Sequence, residues 1–523
     1  MEISMRFKHL LSGILLQAFA MHGFAEQVDN RPNIVFIFSD DHAYQAISAY
    51  GSQLTQTPNI DRIAEEGMRF DRCYVTNSIC GPSRACILTG KYSHKNGIFF
   101  NGQEFDNSQQ TFPKLLQAAG YQTAIVGKWH LGHASPPQGF DHWNLLHTQG
   151  YYYQPKFVGP LGIRQHVGYV TDLITDFTLQ WLNNGRDPDR PFLLMLQHKA
   201  PHRPWDPAIE HLDDFEGVEF PEPTTLFDEY RNRASAARLA KMRISDHMNL
   251  RGPDLKAWSD DRLNTPSETG ARDWFENKLT RQQYRQWNPA MDRKNRTFND
   301  GKLAGQQLVR AKYQRYMQDY LGSAASVDLS VGVILNYLDE HDLAKNTLVV
   351  YSSDQGFYLG EHGWFDKRFM YEQSLRTPLV ARWPGKIKPQ TVNTDIVSNL
   401  DFAQTFLDVA NLSLPDDMQG RSLVPVMQGN RPDNWREAFY YHYYEGKGHN
   451  VSEHYGVTNG QHKLIHYYKL GEWELFDLAR DPDEMQSVFG KLEYKDQQRM
   501  MTVELDRLRK ELEVRSNDPQ VIR

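Results

Sequence analysis

The chain has 523 residues, 40% of them hydrophobic and 24% charged, values that fit a globular protein and exclude a disordered one. Its length predicts one large domain with a smaller one beside it. The formal net charge of -7 argues against a nucleic-acid partner, so any anionic ligand has to be recognised in a local basic pocket.

In chain order, Arg6 and Lys8 precede an apolar stretch from Leu10 to Ala20 and then Gly23, Phe24 and Ala25. These zones come in export order and predict a signal peptide over 1–25, cut after Ala25, hence a periplasmic or secreted protein. No later apolar run is expected to span a bilayer. Asn33 to Phe38 is continuously apolar, as in a strand buried on both faces of a parallel sheet, and it ends at Asp40 and Asp41. Thr57, Pro58 and Gly67 bracket a short amphipathic helix. Cys73, Cys80 and Cys86 are the only cysteines, too few and too clustered for a disulfide scaffold.

The pattern recurs downstream. Thr111 to Gly120 predicts a helix, and the strand Thr123 to Val126 runs into Lys128 and His130. Phe192 to Leu196 leads to His198, Lys199 and His202, and a helix over roughly Leu321 to Leu338 precedes a strand, Leu348 to Tyr351, that opens onto Asp354 and Gln355. Alternating strands and helices predict an α/β fold, a doubly wound, mostly parallel sheet whose ligands bind outside the carboxyl ends of the strands. A polar insertion at about 206–310 is expected to form loops and short helices over that face. A catalytic domain over 26–430 is followed by a subdomain at 431–523 with a short antiparallel sheet and a last helix near Tyr494 to Val514.

The segment Cys80-Gly81-Pro82-Ser83-Arg84 opens a helix, and free backbone N–H groups at a helix start favour an anion that Arg84 can also grip. From spacing alone, a buried structural cysteine is the commoner meaning. Cys-x-Pro-Ser-Arg, continued by Leu88-Thr89-Gly90-Lys91, nevertheless resembles the signature of type I sulfatases of the alkaline phosphatase superfamily, and further motifs follow in family order from Pro32 to about Gly385. Glu474-Leu475-Phe476-Asp477 is a weaker echo near the C-terminus.

That resemblance implies a sulfuric ester hydrolase whose Cys80 becomes formylglycine through a maturation enzyme. It implies one calcium ion on Asp40, Asp41, residue 80, Asp354 and Gln355, hard donors that suit calcium. It assigns Lys128 and His130 to the sulfate and nucleophile, His202 and Lys367 to the bridging oxygen, and Arg84 to the surrounding positive charge. The run from Ser353 to Gly363, followed by Lys367, Arg368, Tyr371 and Glu372, is closer to bacterial carbohydrate sulfatases than to arylsulfatases and implies a sulfated glycan substrate. Tyr151 to Tyr153, Trp205, Trp364 and Phe365 are candidates for stacking on sugars, or equally for packing the core. Two other outcomes fit the motifs, a formylglycine-dependent phosphodiesterase or phosphonate hydrolase and an inactive glycan-binding homologue.

Overall fold

The computed structural model describes residues 30–132, 137–258, 270, 272–273 and 275–515; the predicted signal peptide lies outside them. A ten-stranded mixed sheet forms the centre. Its parallel heart is, in spatial order, Thr347–Ser353, Asn33–Ser39, Phe192–Gln197, Gln122–Gly127 and His142–Leu146. Leu379–Arg382 joins one side antiparallel, followed by Met68–Phe70 and Thr391–Asn393, and the hairpin Lys156–Gly159 and Gly162–Gln165 closes the other.

Alternation along each strand divides the core in two. Ile34, Phe36, Phe38, Leu193 and Met195 face one layer with Ile87, Leu88, Phe112, Leu116, Phe402 and Phe406 from helices Cys80–Thr89, Phe112–Ala118 and Phe402–Val409. Val35, Ile37, Leu194, Leu196 and Tyr351 face the other, against helices Pro58–Glu65, Val170–Asn184 and Gly305–Glu340. The predicted doubly wound architecture is therefore present, and the polar residues that follow each strand meet along one edge of the sheet.

Beyond the central sheet, the strands Phe439–Tyr443, His454–Thr458, His462–Tyr467 and Glu472–Asp477 form an antiparallel meander under the helix Lys495–Glu511.

The long helix departs from expectation. It begins at Gly305, not near Leu321, because Tyr313, Tyr316, Met317 and Tyr320 extend its buried face under the insertion, where interleaved polar residues hide the period. The insertion itself carries a 20-residue helix, Arg281–Asp300, started by a reciprocal cap between Thr280 and Gln283. Gly305–Glu340 is also the one described helix long and apolar enough to cross a membrane, but 78% of its apolar window is buried inside the molecule, as in a core helix.

Candidate active site

The carboxyl ends of the parallel strands deliver Asp40 and Asp41 from Asn33–Ser39, Lys128 from Gln122–Gly127 and Asp354 from Thr347–Ser353, all fully or almost fully buried. Asp41 takes a left-handed φ of 67°, which lets its N–H donate to Asp354 Oδ1 (3.1 Å). The helix Cys80–Thr89 points its first residue at this cluster: Cys80 Sγ lies 3.4 Å from Asp40 Oδ1 and 3.4 Å from Lys367 Nζ. Gly81 N–H at the same helix start donates to Asn101 Oδ1 (2.8 Å).

Three cations and an imidazole surround the carboxylates. Arg84 donates to Asp354 Oδ2 (3.1 Å), Gln197 Oε1 (2.8 Å) and the Lys128 carbonyl (2.8 Å), and its guanidinium lies over the Phe38 ring. Lys128 Nζ pairs with Asp40, and Lys367 Nζ pairs with Asp41. His202 Nε2 is 3.8 Å from Asp41 Oδ2, while its Nδ1 meets the Arg203 carbonyl (2.6 Å).

Burial pushes the Asp40 carboxyl up, but Lys128, His202, Arg84 and Lys367 outweigh it and hold the group well below the usual carboxylate range. Burial pushes Asp41 up to about 7 and Asp354 up to about 6, and the adjacent Asp40 charge adds to both. Burial also raises the Cys80 thiol well above its ordinary value, so an unmodified thiolate is disfavoured here.

One oxygen each from Asp40, Asp41 and Asp354 lies within 4.8 Å of the other two. The Gln355 amide nitrogen contacts Asp41 and Asp354 (2.7 Å to the latter), leaving buried Gln355 Oε1 with no partner among the described residues. Three converging buried carboxylates beside an unpartnered amide oxygen are a hard oxygen donor set, and it fits calcium.

The structure thus brings together Asp40, Asp41, Cys80, Arg84, Lys128, His202, Asp354, Gln355 and Lys367. His130 makes no hydrogen bond to the carboxylates among the described residues: its Nε2 sits 2.7 Å from the Gln149 side-chain nitrogen, and its buried Nδ1 has no partner among them. Burial lowers the His130 and His202 imidazoles well below their ordinary values, so both are neutral when free of substrate. Of the aromatic candidates, Tyr152, Tyr153, Trp205, Trp364 and Phe365 are core residues, and only Tyr151 is exposed, at 39%. Cys73 and Cys86 are buried free thiols.

Gln197, Asn101 and Lys199 also belong to this region, yet single polar residues beyond a strand carry no pattern that marks them in the sequence. The same holds for the anchors of the Lys367 loop. Met370 N–H donates to His454 Nε2 (3.1 Å), Tyr441 OH to the Arg368 carbonyl (2.5 Å), and Tyr371 OH to Glu474 (2.9 Å). Lys463 Nζ reaches both Glu372 (2.8 Å) and Glu484 (2.6 Å).

Comparison with known proteins agrees with this geometry. The sulfatase family model matches residues 32–412, and the model of the N-sulphoglucosamine sulphohydrolase C-terminal region matches 360–511. An N-acetylglucosamine-6-O-sulfatase of Bacteroides thetaiotaomicron is 47% identical over 496 residues, 94% of this chain and 88% of the relative. The human N-acetylglucosamine-6-sulfatase is 28% identical over 81% of this chain and 69% of its own length. The solved structure of BT4656 with its substrate D-glucosamine-2-N,6-O-disulfate superposes with a TM-score of 0.90 at 47% identity, covering 93% of this chain and 99% of that one. The chain belongs to the sulfatase family and is a sulfuric ester hydrolase built on the alkaline phosphatase-like fold.

Proposed function

We propose that this enzyme removes the 6-O-sulfate from glucosamine-type residues of a sulfated glycan, using formylglycine at position 80 and one calcium ion. The observation that carries the substrate reading is the 47% identity, over 94% of this chain, to a sulfatase named for that activity. The predicted export signal fits a polymer substrate met outside the cytoplasm, and a maturation enzyme would have to oxidise Cys80 before the chain folds around it, since Cys80 is fully buried.

Asp40, Asp41, Asp354 and Gln355 would hold calcium beside residue 80, where it supplies Lewis-acid polarisation of the sulfate. Hydrated formylglycine supplies one hydroxyl to attack sulfur and a second to expel sulfate afterwards, which an ordinary serine or cysteine adduct lacks. Arg84, Lys128 and Lys367 present positive charge to the oxygens on which negative charge accumulates, and they do so in a water-poor pocket where it counts most. His202, protonated at Nε2 once the sulfate anion is bound, hands that proton to the leaving oxygen as the S–O bond breaks. His130 takes the proton of the second hydroxyl, the role that the family resemblance gives it.

The test is desulfation of defined 6-, 4- and 3-sulfated glucosamine and galactosamine derivatives, with the mass of the tryptic peptide containing residue 80 measured in parallel. Release from 6-sulfated glucosamines and a formylglycine mass are expected; exclusive activity on another position or on phosphonate esters overturns the reading. His202→Ala should cost about 10²- to 10⁴-fold on the sugar sulfate but far less on an activated aryl sulfate, whose phenolate leaves without a proton. Equal losses on both would make His202 a loop-shaping residue.

A further inference from the structure

Beside His202 a pocket of about 210 Å³ opens between Gln149, Tyr151, Arg203 and Phe275. Its volume is on the scale of one sugar ring. At its wall stands Lys199, an ammonium-bearing side chain only 1% exposed that the chemistry above does not use. A buried cation normally has a carboxylate against it, since several kcal/mol of desolvation go uncompensated otherwise, roughly speaking. Lys199 has none within ion-pair distance among the described residues.

What it has instead is the Tyr152 ring, 4.9 Å from Nζ, and the Arg203 carbonyl at the long distance of 3.5 Å. The nearby acids are already engaged. Lys256 Nζ lies 2.8 Å from Asp206, and Arg203 grips Asp254 through both carboxylate oxygens. Tyr152 in turn donates its hydroxyl to the His202 carbonyl (2.6 Å), so Lys199, Tyr152 and His202 form one packed unit. Lys278 Nζ lies over the Tyr151 ring (4.5 Å), which gives the far wall a second cation. Burial pulls the Lys199 ammonium down to about 8, still protonated at neutral pH, as a charge kept for an absent counterion would be.

With His202 at the bridging oxygen, as proposed above, the pocket that it lines lies next to whatever the sulfate is attached to. We propose that this pocket receives the sugar of the leaving group and that Lys199 is a specificity residue for a second anionic substituent on the glycan, a sulfate or a carboxylate besides the ester that is cleaved. The inference rests on the glucosamine 6-sulfatase reading and deepens it. A neutral substrate sugar leaves Lys199 uncompensated, whereas a second anion completes the ion pair that the protein itself omits.

The experiment compares kcat/KM of the mature enzyme on glucosamine 6-sulfate bearing a free amine, an N-acetyl or an N-sulfate group, and on an N-acetylated disaccharide with a neighbouring uronate. The wild type should favour an anionic substrate over the N-acetyl monosaccharide about 10-fold, mostly through KM, the worth of one charge-assisted hydrogen bond. The arm that shows the preference tells an N-sulfate from a uronate. Lys199→Gln should abolish the preference, lowering kcat/KM about 10-fold more on the anionic substrate than on the N-acetyl one, and Lys199→Arg should keep most of it. Equal loss on every substrate, or a wild type indifferent to the second charge, overturns the proposal. A melting curve identifies any variant that fails to fold, in which case Lys199→Met and Lys199→Arg supply the same comparison. If no 6-sulfated glucosamine is hydrolysed by the wild type, it is the substrate reading that fails, not the pocket.

Discussion

Two regions of the active site are held in place by different means. Asp40, Asp41, Lys128 and Asp354 follow parallel strands, so the ladder of the central sheet fixes their backbones. Lys367 sits on a loop outside that ladder, between Asp366 and Arg368, which both take positive φ (84° and 95°), and the loop is tied down by side chains of the C-terminal sheet. The first arrangement depends on main-chain hydrogen bonds that tolerate many substitutions. The second depends on a few buried polar side chains, and each is a single point of failure.

The largest effect should come from the residue that both regions face. Cys80→Ala leaves the strand ends and the clamped loop in place and removes only the nucleophile between them. It is expected to lower kcat on a 6-sulfated glucosamine on the order of 10⁴-fold or more with an unchanged melting temperature. A folded, active variant would break the assignment of both regions to one reaction.

Next comes the strand-end region. Asp354→Asn, or thorough removal of calcium by a chelator, is expected to cost about 10³-fold in kcat, the scale of losing one preorganised electrostatic partner of the transition state. Calcium should restore the chelated wild type and not the variant. Elemental analysis that finds no metal in fully active enzyme would contradict this.

The clamped loop should respond more mildly. His454 is fully buried, its Nδ1–H donates to the Ser452 carbonyl (2.8 Å), and its Nε2 is therefore the acceptor for Met370 N–H. His454→Leu is expected to lower kcat roughly 10-fold by loosening the Lys367 loop, with little change in KM. His454→Gln, which can still accept from Met370, should recover most of it. A loss of stability without a loss in kcat, or no rescue by Gln, would mean that the C-terminal sheet only covers the loop.

This division also explains what was legible in the sequence. Asn33 to Phe38 and Phe192 to Leu196 announce buried strands by unbroken apolar runs, and the polar residues that end them are marked by position alone. Cys80 and Arg84 were marked by a motif at a helix start, with Gly90 closing the helix at a φ of 64°. His454, Tyr441 and Lys463 give no such signal, because a polar residue that points inward from a tyrosine-rich strand looks like any other alternation. Lys199 shares the difficulty from the opposite direction. In sequence it is one more lysine after a strand, and only its burial without a carboxylate sets it apart.

The last effect is on stability and not on turnover, and it concerns Glu474, which joins the C-terminal sheet to both the Lys367 loop and the insertion. Its carboxylate accepts from Tyr371 OH, Tyr467 OH (3.0 Å) and Ala234 N–H (2.7 Å), with Arg233 as the nearby cation. Burial outweighs all of these and pushes the group from 4.5 up to about 7. A carboxyl with a raised folded-state value binds its proton more tightly in the native than in the unfolded chain, so stability falls as pH rises from about 4.5 to about 7 and stays lower above that. The shift corresponds to about 3 kcal/mol. Glu474→Gln keeps an oxygen to accept from the tyrosines and cannot ionise, so it should escape this decline. Relative to wild type, the variant should therefore gain stability steadily between pH 4.5 and 7 and hold a constant difference beyond, as read from urea unfolding across that range. A difference that does not change with pH would mean that Glu474 ionises in the folded protein as readily as in the unfolded chain, and that its three donors, not burial, set its charge.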